Sequence, residues 1–462
     1  MSEHLDDAAI GTKVTPKMVV APTLIEAARV VVRGPSLNRT KTAGYDVKEG
    51  EKILLVEKST DDPAVTEALV AAMHEVGASV DVFHLDIADR PMDYLDEFRG
   101  LMHNVPGITP DPEFSKWRRK LEWLEKVAED QGYSLLLQGE AGALPKLDGV
   151  RYEGVPWFHR VTFPAAGFPW PLWDLINEKS WAPIWNEGKN ARVHLTDPEG
   201  TEMSYVLKER YFDPSHYEGH RRRFQPQYYL GHQFGWPTPP YADDLECEGV
   251  VAGTINHFGR PFPHAKAHFE NGKCVSVEGG GPYGEKWREV MELTKDIQYP
   301  EYPDTGLFWL WEVAIGTHPK MARPPSAFTL SGHAAMFERL RSGIIHMGIG
   351  TGNKNISESW AEERGLPWGH LHIHLQYPTY RLETAGGEDH VVIDNGRLTA
   401  LDDLEVVELA SQYGDPDQLL SEAWKPPIPG ISVPGDYWGD YAPDPAAWIE
   451  ANDDVIVEGS PG

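Results

Sequence analysis

Residues 47–86 read VKEGEKILLVEKSTDDPAVTEALVAAMHEVGASVDVFHLD. Gly50 turns the chain, and Ile53, Leu54, Leu55 and Val56 form the short continuous apolar run of a strand covered on both faces. Ser59 to Asp62 offer capping side chains. Val65, Leu69 and Ala72 then recur at helical spacing until Gly77 stops the pattern. A second strand follows, with Val80, Val82 and His84 alternating against Asp81 and Phe83. A strand–helix–strand unit of this length implies a parallel pair joined by a right-handed crossover. Upstream, PTLIEAARVVV spaces Leu24, Ile25, Ala28 and Val31 as a helix, and LLLQGE at 135–140 reads as another central strand. No G-x-G-x-x-G follows the first strand, so the usual dinucleotide site is not indicated.

At 462 residues the chain is long for one core and implies two domains. Hydrophobic residues make up 41% and charged residues 24%, ordinary globular usage that argues against disorder. With 71 acidic against 42 basic residues the formal charge is −29. Such a surface repels phosphate backbones and anionic lipid, so nucleic-acid and membrane roles are not expected. No apolar run approaches the roughly 20 residues that cross a bilayer. The acidic start MSEHLDDAAIGTK lacks the basic and apolar regions of a secretory signal, so a cytoplasmic location is expected. Two cysteines, Cys247 and Cys274, cannot build a cysteine-rich zinc module; any metal must be held by histidine and carboxylate.

Residues 1–150 read as an α/β domain with a parallel sheet, 151–190 as a Trp/Pro-rich insertion, and 191–462 as an α+β domain rich in antiparallel strands that carries the metal site. The insertion sets Trp157, Trp170, Trp173, Trp181 and Trp185 among prolines. It reads either as an aromatic wall over a substrate, with Trp170 and Trp173 in contact with it, or as a loop-rich subdomain whose indoles are its own core. RVHLTDPEGTEMSYVL, 192–207, is a hairpin turning at Asp-Pro-Glu-Gly. HYEGHRRRFQPQYY, 216–229, is the one basic aromatic patch and reads as an ion-paired face or as a receiver of an anionic substrate group. Residues 245–300 continue as sheet with a tight Glu-Asn-Gly turn. SGHAAMFERLRSG, 331–343, is a short helix on which Glu338 reads as a solvated side chain.

The chemistry concentrates in GHLHIHLQY, 369–377. In a strand His370, His372, His374 and Gln376 share one face, while Leu371, Ile373, Leu375 and Tyr377 face a core. Histidines at i and i+2 reach one ion, and neutral imidazole suits Zn, Fe, Cu and Ni. A mononuclear oxygenase site needs two histidines and one carboxylate; the carboxylate must come from elsewhere.

FWLWEVAIGTHPK (308–320), SGIIHMGIGTG (342–352) and HIHLQY (372–377), in that order, resemble the aminopeptidase T family of metallo-aminopeptidases. That superfamily also includes the 2,5-dihydroxypyridine 5,6-dioxygenases, which open a pyridine ring with mononuclear non-haem iron. AARVVV, VKEGEKILLV and AVTEALVAAMHEVGASVDVF look like the family's opening, and RVHLTDPEGTEMSYVL resembles its hairpin. The resemblance spans nearly the whole chain except the insertion near 155–190. It places Glu312 on a metal carboxylate, His346 on the Gly-Thr-x-His histidine and His372 on the His of His-x-Asp. Glu248 falls on an earlier Gly-Glu ligand, with Glu246 competing for that place. Two positions depart: His374 stands where the family has Asp, and Asn353 where the aminopeptidases carry a catalytic Tyr. The dioxygenase branch has His at the position of Glu312 and Asp at that of His374. Two histidines and one carboxylate are thus conserved in number and exchanged in place.

The resemblance therefore implies a mononuclear Fe(II) oxygenase with Glu312, His372 and His374 on iron, acting with O2 on an aromatic or heteroaromatic small molecule. His346 and Glu248 would be catalytic, and His318, Trp170 and Trp173 would touch substrate. The alternative is a Zn-, Co- or Mn-dependent aminopeptidase or amidohydrolase using metal-bound water. A homodimer or larger homo-oligomer is also implied.

Overall fold

The structure, a computed structural model, describes residues 24–36, 44–58, 61–85, 93–109, 124, 126–138, 149–154, 162–212, 233–236, 246–322, 336–351 and 356–452. Ser59, Trp157, the basic patch at 216–229 and Asn353 lie outside them.

Helix α1 (Leu24–Arg33), strand β1 (Lys52–Lys58), helix α2 (Pro63–Val76) and strand β2 (Ser79–Leu85) follow in the order the periodicity predicts. Asp62 caps α2 by accepting from the Ala64 N–H at 3.1 Å, and Gly77 ends it in the left-handed region at φ 89°. Helix α3 (Asp96–Leu101) runs into β3 (Met102–His103), which leaves this sheet for another. β4 (Leu135–Gln138) and β5 (Arg151–Gly154) complete a parallel four-stranded sheet in the order β2-β1-β4-β5. The apolar run in β1 follows from burial on both sides. Ile53 and Leu55 join the main core, while Leu54 and Val56 face a second cluster with Leu124, Ala128 and Leu136.

After helix α4 (Trp170–Ala182) come β6 (Arg192–Asp197), β7 (Thr201–Val206), β8 (Gln233–Trp236), β9 (Glu248–Ile255), β10 (Pro261–Glu270), β11 (Lys273–Gly279) and helix α5 (Gly281–Thr294). β12 (Leu310–Ile315), β13 (Ile345–Gly350), α6 (Ile356–Glu363), β14 (Trp368–Leu375), β15 (Thr379–Glu383), β16 (Asp389–Asp394) and β17 (Arg397–Leu398) follow. They form two antiparallel sheets, ordered β11-β10-β9-β7-β6-β15-β16-β17 and β3-β14-β13-β12-β8. A parallel sheet early in the chain and antiparallel sheets with helices later is the predicted arrangement. β14 packs on β9 of the larger sheet and on α3, and its histidines are buried. Among the described residues no helix is long and apolar enough to cross a membrane.

The insertion supplies core. Trp173 and Trp181 are buried, Trp181 stacks on Trp185 at 4.7 Å, and the Trp173 indole donates to the Thr317 hydroxyl at 3.1 Å. His318 lies against Trp173 at 4.5 Å between ring centres, and burial holds its imidazole down at about 3. Trp170 packs half-buried on the same core. Trp170, Trp173 and His318, the expected substrate contacts, thus pack on the core in this fold. Large rings bury most area where prolines prevent regular pairing.

The β6–β7 hairpin turns where expected and buries two carboxylates. Asp197 accepts from the backbone N–H groups of Glu199 and Tyr377, each at 2.8 Å. Glu199 accepts from the hydroxyls of Thr254 at 2.8 Å and Tyr437 at 2.9 Å. Burial, and then the neighbouring charge of Asp197, push Glu199 up to about 8. A raised carboxyl pKa means that the native state keeps a proton which the unfolded chain releases above about pH 4.3. This contribution is complete below that pH and is lost as pH rises toward 8. Each pKa unit is worth about 1.4 kcal/mol. Denaturant titrations from pH 5 to 8.5 should therefore show wild-type stability falling, and Glu199→Gln should flatten that fall. Parallel curves would contradict the assignment.

Candidate metal centre

The alternation of β14 puts His370, His372 and His374 on one face, and antiparallel register supplies their neighbours. His374 stands opposite His346, His372 opposite Gly348, and Gly348 opposite Glu312. His372, Gly348 and Glu312 thus form one row across three strands, with a glycine in the middle. A Cβ at Gly348 would lie 2.9 Å from Glu312 Cβ and 3.3 Å from Glu312 Oε2, so the absent side chain makes room for the carboxylate. His346 Nε2 lies 3.6 Å and His372 Nε2 3.9 Å from that same oxygen. The turn after β9 brings in His257, whose Nδ1 is 3.3 Å from His346 Nε2. Donor atoms of His257, His346 and His372 all lie within 4.8 Å of one another. All four side chains are buried.

Partners fix the tautomers. Arg339 Nη1 lies 3.1 Å from His257 Nε2. Arginine only donates, so this nitrogen accepts and the His257 hydrogen sits on Nδ1. That N–H faces His346 Nε2 at 3.3 Å, a contact that an ion held by His346 Nε2 would displace; His346 donates Nδ1–H to His374 Nε2 at 2.8 Å. His374 presents its own Nδ1–H toward Glu338 Oε2, 3.8 Å away. His372 donates Nδ1–H to Glu97 Oε1 at 2.7 Å, and its buried Nε2 makes no hydrogen bond among the described residues, with Glu312 Oε2 3.9 Å away.

The donor chemistry fits a divalent cation. His346 and His372 each commit Nδ1–H to a neighbour and turn Nε2 toward the Glu312 carboxylate, as second-layer partners do at metal sites. Donors on one ion at about 2.1 Å stand roughly 3.0–3.5 Å apart, so 3.6 and 3.9 Å need a contraction of a few tenths. His257 sits in the histidine cluster, but its tautomer offers this space an N–H rather than a lone pair. His374 lies one layer back, behind His346.

Charge follows the same pattern. Burial opposes the imidazolium of His372, yet the carboxylates of Glu312 and Glu97 outweigh it and hold the pKa above its ordinary value. Burial holds His374 below its ordinary value against the pull of Glu338. Burial, with the charge of His372 and Arg339, holds His257 far below.

Other expected residues fall elsewhere. Glu248 is exposed at the start of β9, where it accepts from the Asn271 N–H at 2.9 Å. At about 3.3 Å per residue, this is roughly 20 Å from the end of β9 that leads to His257. Glu246 is exposed and paired with Arg192 at 3.0 Å. Neither joins the cluster, because Gly249 onward carries the strand inward and leaves both at its rim. Glu338 is fully buried, not solvated. His257, Glu97 and Arg339 carry no periodic signal; His257 sits in a turn and the other two on single helical turns. A second grouping, Glu187, Glu388 and His390, lies at the surface, where acidic groups gather commonly.

No family model and no curated protein matches the chain. Among solved structures, a 2,5-dihydroxypyridine dioxygenase from Pseudomonas putida KT2440 aligns with a TM-score of 0.41 at 12% identity, covering 82% of this chain and 97% of that one. At that level of similarity nothing about the site or its chemistry is transferred.

Proposed function

We propose that the protein is a mononuclear metal enzyme, and specifically a non-haem Fe(II) oxygenase acting on an aromatic or heteroaromatic small molecule. The observation that carries this reading is the convergence of His346 Nε2 and His372 Nε2 on one Glu312 oxygen, with both Nδ1 positions already committed. Two imidazoles and one carboxylate on one side of an ion leave its other positions open, the arrangement non-haem iron oxygenases use. When bound, ferrous iron supplies the site at which O2 and an electron-rich ring are brought together.

The chain's own residues do the rest. Glu97 holds the ring of His372, and His374 holds that of His346, so neither imidazole must reorient to bind. Glu312 gives the centre a single negative charge, and burial keeps bulk water away. His257, its hydrogen fixed on Nδ1 by Arg339, provides a hydrogen-bond donor beside the donor set. A dinuclear hydrolase needs a further carboxylate on the Nε2 side. Among the described residues, Glu97 and Glu338 face the Nδ1 sides of His372 and His374 instead.

Anaerobic loading followed by metal analysis and oxygen electrode measurements tests the proposal. One Fe per chain with O2 uptake that depends on an added hydroxylated aromatic ring supports it. Two Zn, Co or Mn per chain with peptide or amide cleavage under argon replaces it with the hydrolase. His257→Ala should keep one ion per chain while turnover drops. Loss of the ion from that variant would make His257 a ligand.

A further inference from the structure

We infer that Asp96 and Glu97, at the start of α3, are positioning residues of the metal centre and clamp its two parts from a distant stretch of chain. This rests on the reading of His346, His372 and Glu312 as the ion's ligands. Consecutive residues on a helix point about 100° apart, and these two carboxylates reach different elements. Glu97 accepts from His372 Nδ1, 275 residues later, and its second oxygen accepts from the Tyr283 hydroxyl. Tyr283 Oη also lies 3.3 Å from the His372 carbonyl, so the tyrosine that holds Glu97 sits beside the backbone of His372. Asp96 pairs with Arg260 Nε at 3.2 Å, 164 residues later, and with Arg99 at 2.9 Å.

Arg260 closes the turn that carries His257. Within it the Asn256 side-chain oxygen accepts from the N–H groups of Phe258 and Arg260, each at 3.0 Å. Its amide donates to the Tyr94 carbonyl at 3.1 Å, so the segment from Tyr94 to Glu97 grips this turn at two points. Two adjacent carboxylates at 1% and 0% exposure carry a large desolvation cost unless fully partnered. Here the partners are Arg260, Arg99, Tyr283 and His372. Glu97 makes His372 a more basic ligand and fixes its ring, the role carboxylates play behind ligating histidines. Asp96 sets where His257 sits relative to that ring, which it overlies at 4.4 Å.

The test is Co(II) affinity by chelator competition on the full chain, with the Co(II) visible spectrum and thermal melting alongside. Glu97→Gln should weaken Co(II) binding about 10–100-fold and shift the ligand-field bands. Phe98→Leu loosens the packing of the same helix, including its edge contact with the Tyr283 ring at 5.4 Å, but keeps every polar group, and it should leave affinity and spectrum as in wild type. Equal weakening by both variants, or an unchanged spectrum in Glu97→Gln, overturns the clamp. His372→Ala in the same assay separates the two levels. If it keeps Co(II), the ligand set itself is wrong. If it loses Co(II) while Glu97→Gln binds like wild type, only the clamp falls.

Discussion

His372→Ala should abolish binding of the ion and all activity with it, whereas His374→Ala should keep an ion at about 10–100-fold lower affinity. The two histidines lie on the same strand face two residues apart, so strand alternation alone treats them alike. Their surroundings do not. His372 turns a buried Nε2 that makes no hydrogen bond among the described residues toward Glu312 Oε2, 3.9 Å away, while His374 spends Nε2 on the His346 Nδ1–H. Removing His372 deletes a donor; removing His374 only releases the ring of one. Metal analysis after dialysis against a weak chelator reads the difference directly. Equal and complete loss from both variants would return His374 to the ligand set in place of His346.

Gly348→Ala should lower metal affinity by at least about tenfold and reduce stability by about 1–3 kcal/mol, the usual cost of overpacking a closed interior. Its new methyl would lie 2.9 Å from Glu312 Cβ and 3.1 Å from the Trp311 ring. The first of these atoms is tied to the backbone and the second belongs to a buried indole, so neither yields freely. Glu312 must swing out of the row it forms with His372. Gly386→Ala is the control: its Cβ would meet only Thr384 Oγ1, at 3.7 Å, in an exposed hairpin. Denaturant midpoints and metal titrations on both variants measure the effect. Wild-type affinity in Gly348→Ala would show that Glu312 does not need this space.

Much of the fold is legible because its signals are local. Ile53 to Val56, the helical spacing of Val65, Leu69 and Ala72, and the turn at Gly77 each depend on neighbours within a few residues. The same holds for the hairpin at Asp197–Gly200 and for the period-two pattern of His370, His372 and His374. The tryptophans of the insertion were legible as large apolar groups, but not as core or pocket. Their positions decide that, and Trp173 meets Thr317 and His318 from far along the chain.

By itself the sequence determined the opening strands and helices and the imidazole-bearing strand, properties of short range, while Glu312 entered as a candidate carboxylate only through the family resemblance. Only the tertiary structure decided that His346 and His372 face Glu312, that His374 stands behind, and that His257, Arg339 and Glu97 join them. Strand register and imidazole tautomer are set by partners up to 275 residues away. No local period records such a partner, because it arrives through the packing of separate elements.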